Sequence, residues 1–213
     1  MNVVVIDYGM GNLHSVLKSA QSASEGNASI VLSRDPDVVR RADKVIFPGQ
    51  GAMPDCMREL NAHGLGEAVR EASAGKPFFG ICVGAQLLFD HSEEGDTPGL
   101  GLFPGKVVRF AHGMTDAAGE RLKVPHMGWN RVWQTAAHPL FAGIDDGERF
   151  YFVHSFYFAP DDNSLTLGES DYPERFSCIV GRENVFATQF HTEKSHLAGL
   201  RMMKNFLAWD GTV

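Results

Sequence analysis

The residues best equipped for chemistry lie in three short stretches of this 213-residue chain. Gly80-Ile81-Cys82-Val83-Gly84 has the form glycine–x–nucleophile–x–glycine. Where a buried strand turns sharply into a helix, such a segment exposes its central side chain, and small flanking residues let a substrate approach. The turn sets Cys82 at a helix N-terminus, where the dipole and free N–H groups favour an anion. The Val83 amide is placed to donate to an oxyanion. A lone cysteine is more often a buried structural residue, but the strand-turn-helix setting with both glycines favours a nucleophile.

A thiolate nucleophile needs a base. Gln189-Phe190-His191-Thr192-Glu193 follows a strand-like run and precedes the last helical stretch. In extended backbone, residues two apart point to the same side. That predicts a Glu193 carboxylate on one nitrogen of His191, leaving the other for Cys82, the arrangement of a nucleophile, a base and an orienting acid. Alone, His-x-Glu is weak evidence and reads more readily as a surface histidine beside a solvated glutamate; its weight comes from the cysteine turn. Pro48-Gly49-Gln50-Gly51 supplies a second backbone segment, and an N–H from Gln50 or Gly51 is the expected second oxyanion donor. One such donor is worth about 2.7–4 kcal/mol of transition-state stabilisation.

These stretches require a frame that brings them together. Asn2 to Ile6 reads as a strand buried on both faces, and Ala28 to Leu32, Lys44 to Phe47 and Phe78 to Ile81 read as further strands. Leu13, Val16, Leu17 and Ala20 have the spacing of an amphipathic helix. A long helical region carries Leu65, Ala68, Val69 and Ala72 on one face, and Gly84 to Asp90 reads as the next helix. This alternation predicts an α/β fold with a mostly parallel central sheet and helices on both faces. Ligands in such sheets bind beyond the carboxyl ends of the strands, where the turns at 9–11, 48–51 and 80–84 fall. From about 105 to 190 the chain is rich in aromatic and β-branched residues, which predicts antiparallel strands extending the sheet, with a hairpin at Arg182-Glu183-Asn184. Ser195 is placed to cap a final helix reaching Trp209. No repeat or linker interrupts the chain, so a single domain spanning 1–213 is expected.

Composition narrows the function class. The formal net charge is -7, with no basic run, which disfavours nucleic acid as a partner. Cys56, Cys82 and Cys178 contain no C-x-x-C pair, so neither a disulfide framework nor a zinc ribbon is expected. The remaining histidines show no metal-binding spacing; His126 and His154 sit in aromatic-rich segments and read as structural. No stretch approaches the roughly 20 apolar residues of a membrane helix. A cytoplasmic protein without membrane contact is the expectation.

On PGQG (48–51), GICVGAQLL (80–88) and QFHTEKS (189–195), the chain resembles the class I, triad-type glutamine amidotransferases. DYGMGNL (7–13), KVPHMGWN (123–130) and FYFVHSFY (150–157) resemble one branch of that family, the glutaminase subunits of imidazole glycerol phosphate synthase. The resemblance covers nearly the whole chain. It implies a flavodoxin-like three-layer fold, with Cys82 as nucleophile, His191 as base and Glu193 as its orienter. It implies that Gly51, Gln86 and the backbone of His154, Ser155 and Phe156 hold glutamine. It implies a (β/α)8-barrel cyclase partner that receives ammonia through a protected channel for histidine biosynthesis, with Asn12, Trp129 and Lys194 facing that partner. No cofactor or metal is implied. Thr192 stands where the family usually has proline, Gln50 where it often has valine, and Ala85 where methionine or leucine is common. The rival readings are a glutaminase of another synthase, such as that of pyridoxal phosphate, a cysteine peptidase on a similar fold, and a catalytically silent interaction subunit.

Overall fold

The computed structural model describes residues 1–213. Strand β1 (Asn2–Ile6) pairs in parallel with β2 (Ser29–Ser33) on one side and β3 (Lys44–Gly49) on the other. Strand β4 (Phe78–Cys82) follows β3, and β13 (Val185–Thr188) follows β4, both in parallel. The order β2-β1-β3-β4-β13 is thus a five-strand parallel block. Its central strands are buried on both faces, and apart from Lys44 at the start of β3 they carry no charged side chain. That burial is why they read as continuous apolar runs rather than alternating ones.

Helices cover this block. Helix α1 (Leu13–Ser24) buries Val16, Ala20 and Ala23. The sequence gives no strong signal for α2 (Pro36–Arg41), a six-residue helix capped by Asp35, whose side chain accepts from the Asp37 amide. The expected long helix is instead two, α3 (Met53–Ala62) and α4 (Leu65–Ser73). Gly64 separates them at φ 65°, a left-handed conformation that an uninterrupted right-handed helix excludes.

The expected helix from Gly84 to Asp90 is also corrected. Helix α5 spans only Val83–Gln86, and strand β5 (Phe89–Ser92) begins three residues later. Distant amides take the carbonyls that a longer helix would use. Leu100 N donates to Leu87 O at 2.8 Å, Leu102 N to Leu88 O at 2.8 Å and Gly101 N to Phe89 O at 3.1 Å. Once those acceptors are paired with chain a dozen residues away, continuing the helix gains no hydrogen bond.

The second half extends the sheet as expected. β12 (Arg175–Arg182) pairs antiparallel with β13 through a turn at Glu183-Asn184, and Glu183 adopts φ 51°. β6 (Thr97–Pro98) pairs antiparallel with β5, and β10 (Phe156–Pro160) lies between β12 and β7 (Phe103–Arg109), antiparallel to both. β8 (His126–Gln134) and β9 (Glu148–His154) form a further antiparallel pair, joined to the sheet through β11 (Thr166–Asp171).

The last helix, α6 (His196–Ala208), is tied down at its C-terminus by a buried cation. Lys44, 7% exposed on β3, donates its ammonium to the carbonyls of Phe206, Leu207 and Trp209. The Leu207 and Trp209 carbonyls lie at the helix end with no backbone donor, the Phe206 carbonyl also accepts from the Trp209 amide at 3.2 Å, and a cation there opposes the negative end of the dipole. Lys44→Met should keep the packing volume but leave the Leu207 and Trp209 carbonyls unpaired, at a cost of about 1–3 kcal/mol. For a chain of this size that lowers the thermal midpoint by roughly 2–10 °C. Unfolding followed by circular dichroism checks this, and an unchanged midpoint would contradict the capping role.

Candidate active site

The C-termini of β1, β3, β4 and β13 stand side by side in the parallel block, so the segments that leave them meet at one edge. Cys82 is the last residue of β4 and adopts φ 55°, ψ -117°. Holding a non-glycine residue in a sparsely populated region costs about 1–3 kcal/mol and points to a functional constraint. Two glycines make the bend possible. A Cβ on Gly84 would lie 2.0 Å from the Phe47 carbonyl oxygen, and one on Gly49 would lie 2.4 Å from the Gly84 nitrogen. Strand β3 and the turn therefore pack backbone against backbone. As the first residue of α5, Val83 has an amide with no intrahelical acceptor.

His191 leaves β13 beside this turn. Its Nδ1 lies 2.8 Å from Glu193 Oε1, and the two side chains are 4% and 2% exposed. The expected extended link is replaced by a 3₁₀ turn over Thr192–Lys194. Glu193 reaches the ring because that turn folds it back, while the Thr192 hydroxyl is buried without a hydrogen bond. The His191 backbone is clamped to β9: its amide donates to Tyr151 O at 3.0 Å. Ser195 stands at the start of α6 but does not cap it with its side chain. Its hydroxyl donates to His191 O at 2.6 Å and accepts from Tyr151 N at 3.0 Å.

The other ring nitrogen, Nε2, is buried without a hydrogen bond. Burial alone would push the ring's pKa down, but the Cys82 sulfur and the Glu193 carboxylate outweigh it and raise the value to about 10. The sulfur thus acts on the ring from beyond good hydrogen-bond geometry, and such contacts tighten when substrate binds. Burial pushes the Cys56 thiol up to about 11 and raises that of Cys178 well above its ordinary value.

Cys82 and His191 open into a pocket of about 240 Å³. Gln50, Gly51, Val83, Gln86, His154, Ser155 and Phe156, all expected at the site, line it together with Glu94, Pro125 and Val153. Gln50 is exposed, and its carbonyl accepts weakly from the Cys56 thiol at 3.7 Å. Ala85, also in α5, is wholly buried. Of the 154–156 segment, the Ser155 carbonyl is occupied by the Phe110 amide at 3.1 Å. Glu94 was not evident in the sequence. It is the one acidic side chain lining the pocket, and its Oε2 accepts from the Met53 amide at 2.8 Å. Only the looping of the 93–98 segment onto the N-terminus of α3 brings it there, and no local motif marks it.

The residues expected to face a partner fall into two settings. Trp129, 41% exposed, lies opposite Tyr151 in the β8–β9 register and stacks on His196 with ring centroids 4.8 Å apart. Lys194 Nζ lies 5.9 Å from the centroid of the Tyr151 ring. Asn12 is exposed but also serves α1, its side chain accepting from the Ser15 amide at 3.4 Å.

His126 and His154 form a buried pair, with His126 Nδ1 2.9 Å from His154 Nε2. Desolvation drives both pKa values down, to about 4 for His126 and about 3 for His154. Against an unfolded value near 6.5, both folded values are depressed, so the unfolded chain binds more protons at low pH. The stability they contribute is complete above about pH 6.5 and is lost as pH falls through 4 and 3. His126→Phe removes one such site. Between about pH 7 and 4.5 the variant should lose roughly 2 kcal/mol less stability than the wild type. Urea unfolding at both pH values measures this, and equal losses in the two proteins would rule it out.

Comparison with known proteins gives a consistent picture. A family model described as glutamine amidotransferase class-I matches residues 4–209. The imidazole glycerol phosphate synthase subunit HisH of Chromobacterium violaceum is 78% identical over 213 residues, covering 100% of both chains. The subunit of the same name from Neisseria gonorrhoeae is 68% identical over 212 residues, covering 98% of this chain and 100% of its own. Among solved structures, a glutamine amidotransferase superposes with a TM-score of 0.72 at 17% identity, over 96% of this chain and 97% of its own. One from Thermotoga maritima gives 0.59 at 15% identity, over 91% and 76%. At those identities the structural likeness speaks for the fold.

Proposed function

The chain belongs to the class I glutamine amidotransferases, and on that premise we propose that it is the glutaminase subunit of an imidazole glycerol phosphate synthase. It acts as a single domain in the cytoplasm, beside a (β/α)8-barrel cyclase subunit that uses the ammonia in histidine biosynthesis. The observation that carries this reading is the pocket itself: Cys82 and His191 line it together, and Glu193 holds the far nitrogen of the ring. The full-length relatives favour this synthase over that of pyridoxal phosphate. No helix is long and apolar enough to cross a membrane.

The chemistry is two acyl transfers. Cys82 thiolate attacks the carboxamide carbon of glutamine, and the carbonyl oxygen becomes an oxyanion facing the Val83 amide and the Gln50-Gly51 backbone. As this intermediate collapses, the C–N bond breaks, and protonated His191 gives its proton to the departing ammonia. Neutral His191 then takes a proton from water as the water attacks the glutamyl thioester. The C–S bond breaks, releasing glutamate and restoring the thiolate–imidazolium pair. Glu193 keeps the ring oriented and stabilises its charged form through both steps. Neither step requires a metal or an organic cofactor.

Glutamine carries an α-ammonium that a mostly neutral pocket must match. Glu94 is its counter-charge, while Gly51, Gln86 and the 154–156 segment hold the rest of the substrate. On the outer surface, Trp129 and Lys194 meet the barrel, with Asn12 at the start of α1.

Two measurements test this. Cys82→Ala should lower glutamine hydrolysis by roughly three orders of magnitude or more. Mixed with the barrel subunit, the same variant should still support synthesis from free ammonia. Glutamate release at the wild-type rate would refute the assignment of the nucleophile. Glu94→Gln should raise the KM for glutamine roughly tenfold, with a smaller change in kcat, because a charge-assisted contact becomes a neutral one. An unchanged KM would remove Glu94 from substrate binding.

A further inference from the structure

Beside Cys82, but not among the residues lining the pocket, lies Gln189, which the mechanism above does not use. It is wholly buried, and its Nε2 is 3.9 Å from the Cys82 sulfur. Its Oε1 accepts from Gln86 Nε2 at 3.0 Å, and the same Gln86 nitrogen donates to the Phe156 carbonyl at 3.3 Å. His154 Nδ1 meets that carbonyl at 2.8 Å.

A backbone carbonyl only accepts, so it sets the polarity of everything bonded to it. Gln86 must turn its NH2, not its oxygen, toward Phe156. The same NH2 then faces Gln189, which must answer with its own oxygen. That leaves the Gln189 NH2 facing the sulfur. Neither carboxamide can reverse without setting oxygen against oxygen or N–H against N–H. The histidine side obeys the same logic. His154 donates from Nδ1, so its Nε2 is an acceptor and His126 Nδ1 must be the donor. His126 Nε2 then accepts from the Asn130 side chain, 3.4 Å away. This polarity needs both rings neutral.

We propose that Gln189 is a hydrogen-bond donor to the Cys82 thiolate in the glutaminase reaction, held in its donating orientation by Gln86 and the Phe156 carbonyl. The inference rests on Cys82 being the nucleophile. Gln189 stabilises the sulfur anion before attack and again when the thioester is hydrolysed. Gln86 and His154 are positioning residues for it, Gln86 in addition to its place in the pocket lining. A hydrogen bond from a buried amide to an anion strengthens as charge develops on the sulfur. Its loss therefore shows in the protonation of Cys82 as well as in turnover.

The test is alkylation of Cys82 by iodoacetamide as a function of pH, read by peptide mass spectrometry so that Cys56 and Cys178 do not contribute. Gln189→Met keeps the length and apolar fit but has no donor. Its alkylation midpoint should move upward by about one pH unit, and kcat should fall roughly tenfold or more. Gln189→Glu, a near-isostere that sets a carboxylate against the sulfur, should move the midpoint further in the same direction. Gln86→Met releases Gln189 from its fixed orientation and should give a smaller shift of the same sign, together with a raised KM. Should Gln189→Met not fold, Gln86→Met decides. An unmoved midpoint in the folded variant overturns the proposal. If Cys82→Ala retains glutaminase activity, the nucleophile assignment fails. If that variant is inactive while Gln189→Met titrates and turns over as the wild type does, only the role of Gln189 fails.

Discussion

Cys82 is held at φ 55°, and almost every feature of the site follows from what that bend requires. The turn has to be braced, because a lone strained residue relaxes unless its surroundings over-determine it. The brace is backbone on backbone. Gly49 and Gly84 lack side chains where β3 meets the turn, so the 48–51 segment arrives at van der Waals distance from the turn that carries Cys82. On the other side of β3, the Gly9-Met10-Gly11 loop leans on the same segment; a Cβ on Gly11 would lie 3.3 Å from the Gln50 nitrogen. The parallel block explains why these loops are neighbours at all: β1, β3, β4 and β13 are consecutive and point the same way.

Around that turn the site mixes two electrostatic regimes. His191 and Glu193 are almost completely buried yet form a charged pair, and removing either partner would strand the other's charge away from water. A few residues along β8 and β9, His126 and His154 are equally buried but kept neutral by desolvation. The difference lies in the neighbours. His191 has a carboxylate on one nitrogen and a sulfur near the other. The His126–His154 pair has only a carbonyl and a carboxamide at its ends, so a proton there would find no counter-charge.

The route from the outer surface to His191 is short. Tyr151 exchanges hydrogen bonds with the His191 amide and the Ser195 hydroxyl. Across the strand pair it faces Trp129, and its ring lies beside the Lys194 ammonium. A shift of β9 would carry His191 with it, because the Tyr151 backbone is joined to the His191 backbone by one direct hydrogen bond and by a second link through the Ser195 hydroxyl. Errors of about 1 Å in a reacting group can cost roughly a hundredfold in rate. This surface therefore has mechanical access to the chemistry.

Much of this molecule was legible in its residues because the informative signals are local. The apolar runs of β1 and β4, the glycines flanking Cys82 and the spacing of His191 and Glu193 each reflect backbone or side-chain preferences over a few residues. The turn at Glu183-Asn184 was visible for the same reason. What the tertiary structure alone decided was set by distant partners. Helix α5 stops after Gln86 because amides from Leu100 to Leu102 take the carbonyls that follow it. Ser195 anchors His191 instead of capping α6 because Tyr151 competes for its hydroxyl. Glu94 enters the pocket, Lys44 finds the end of α6 and Gln189 meets the sulfur through contacts between residues 41, 163 and 107 positions apart, respectively. A side chain's type limits the bonds it can make, but only the folded chain determines which acceptors and donors lie within reach.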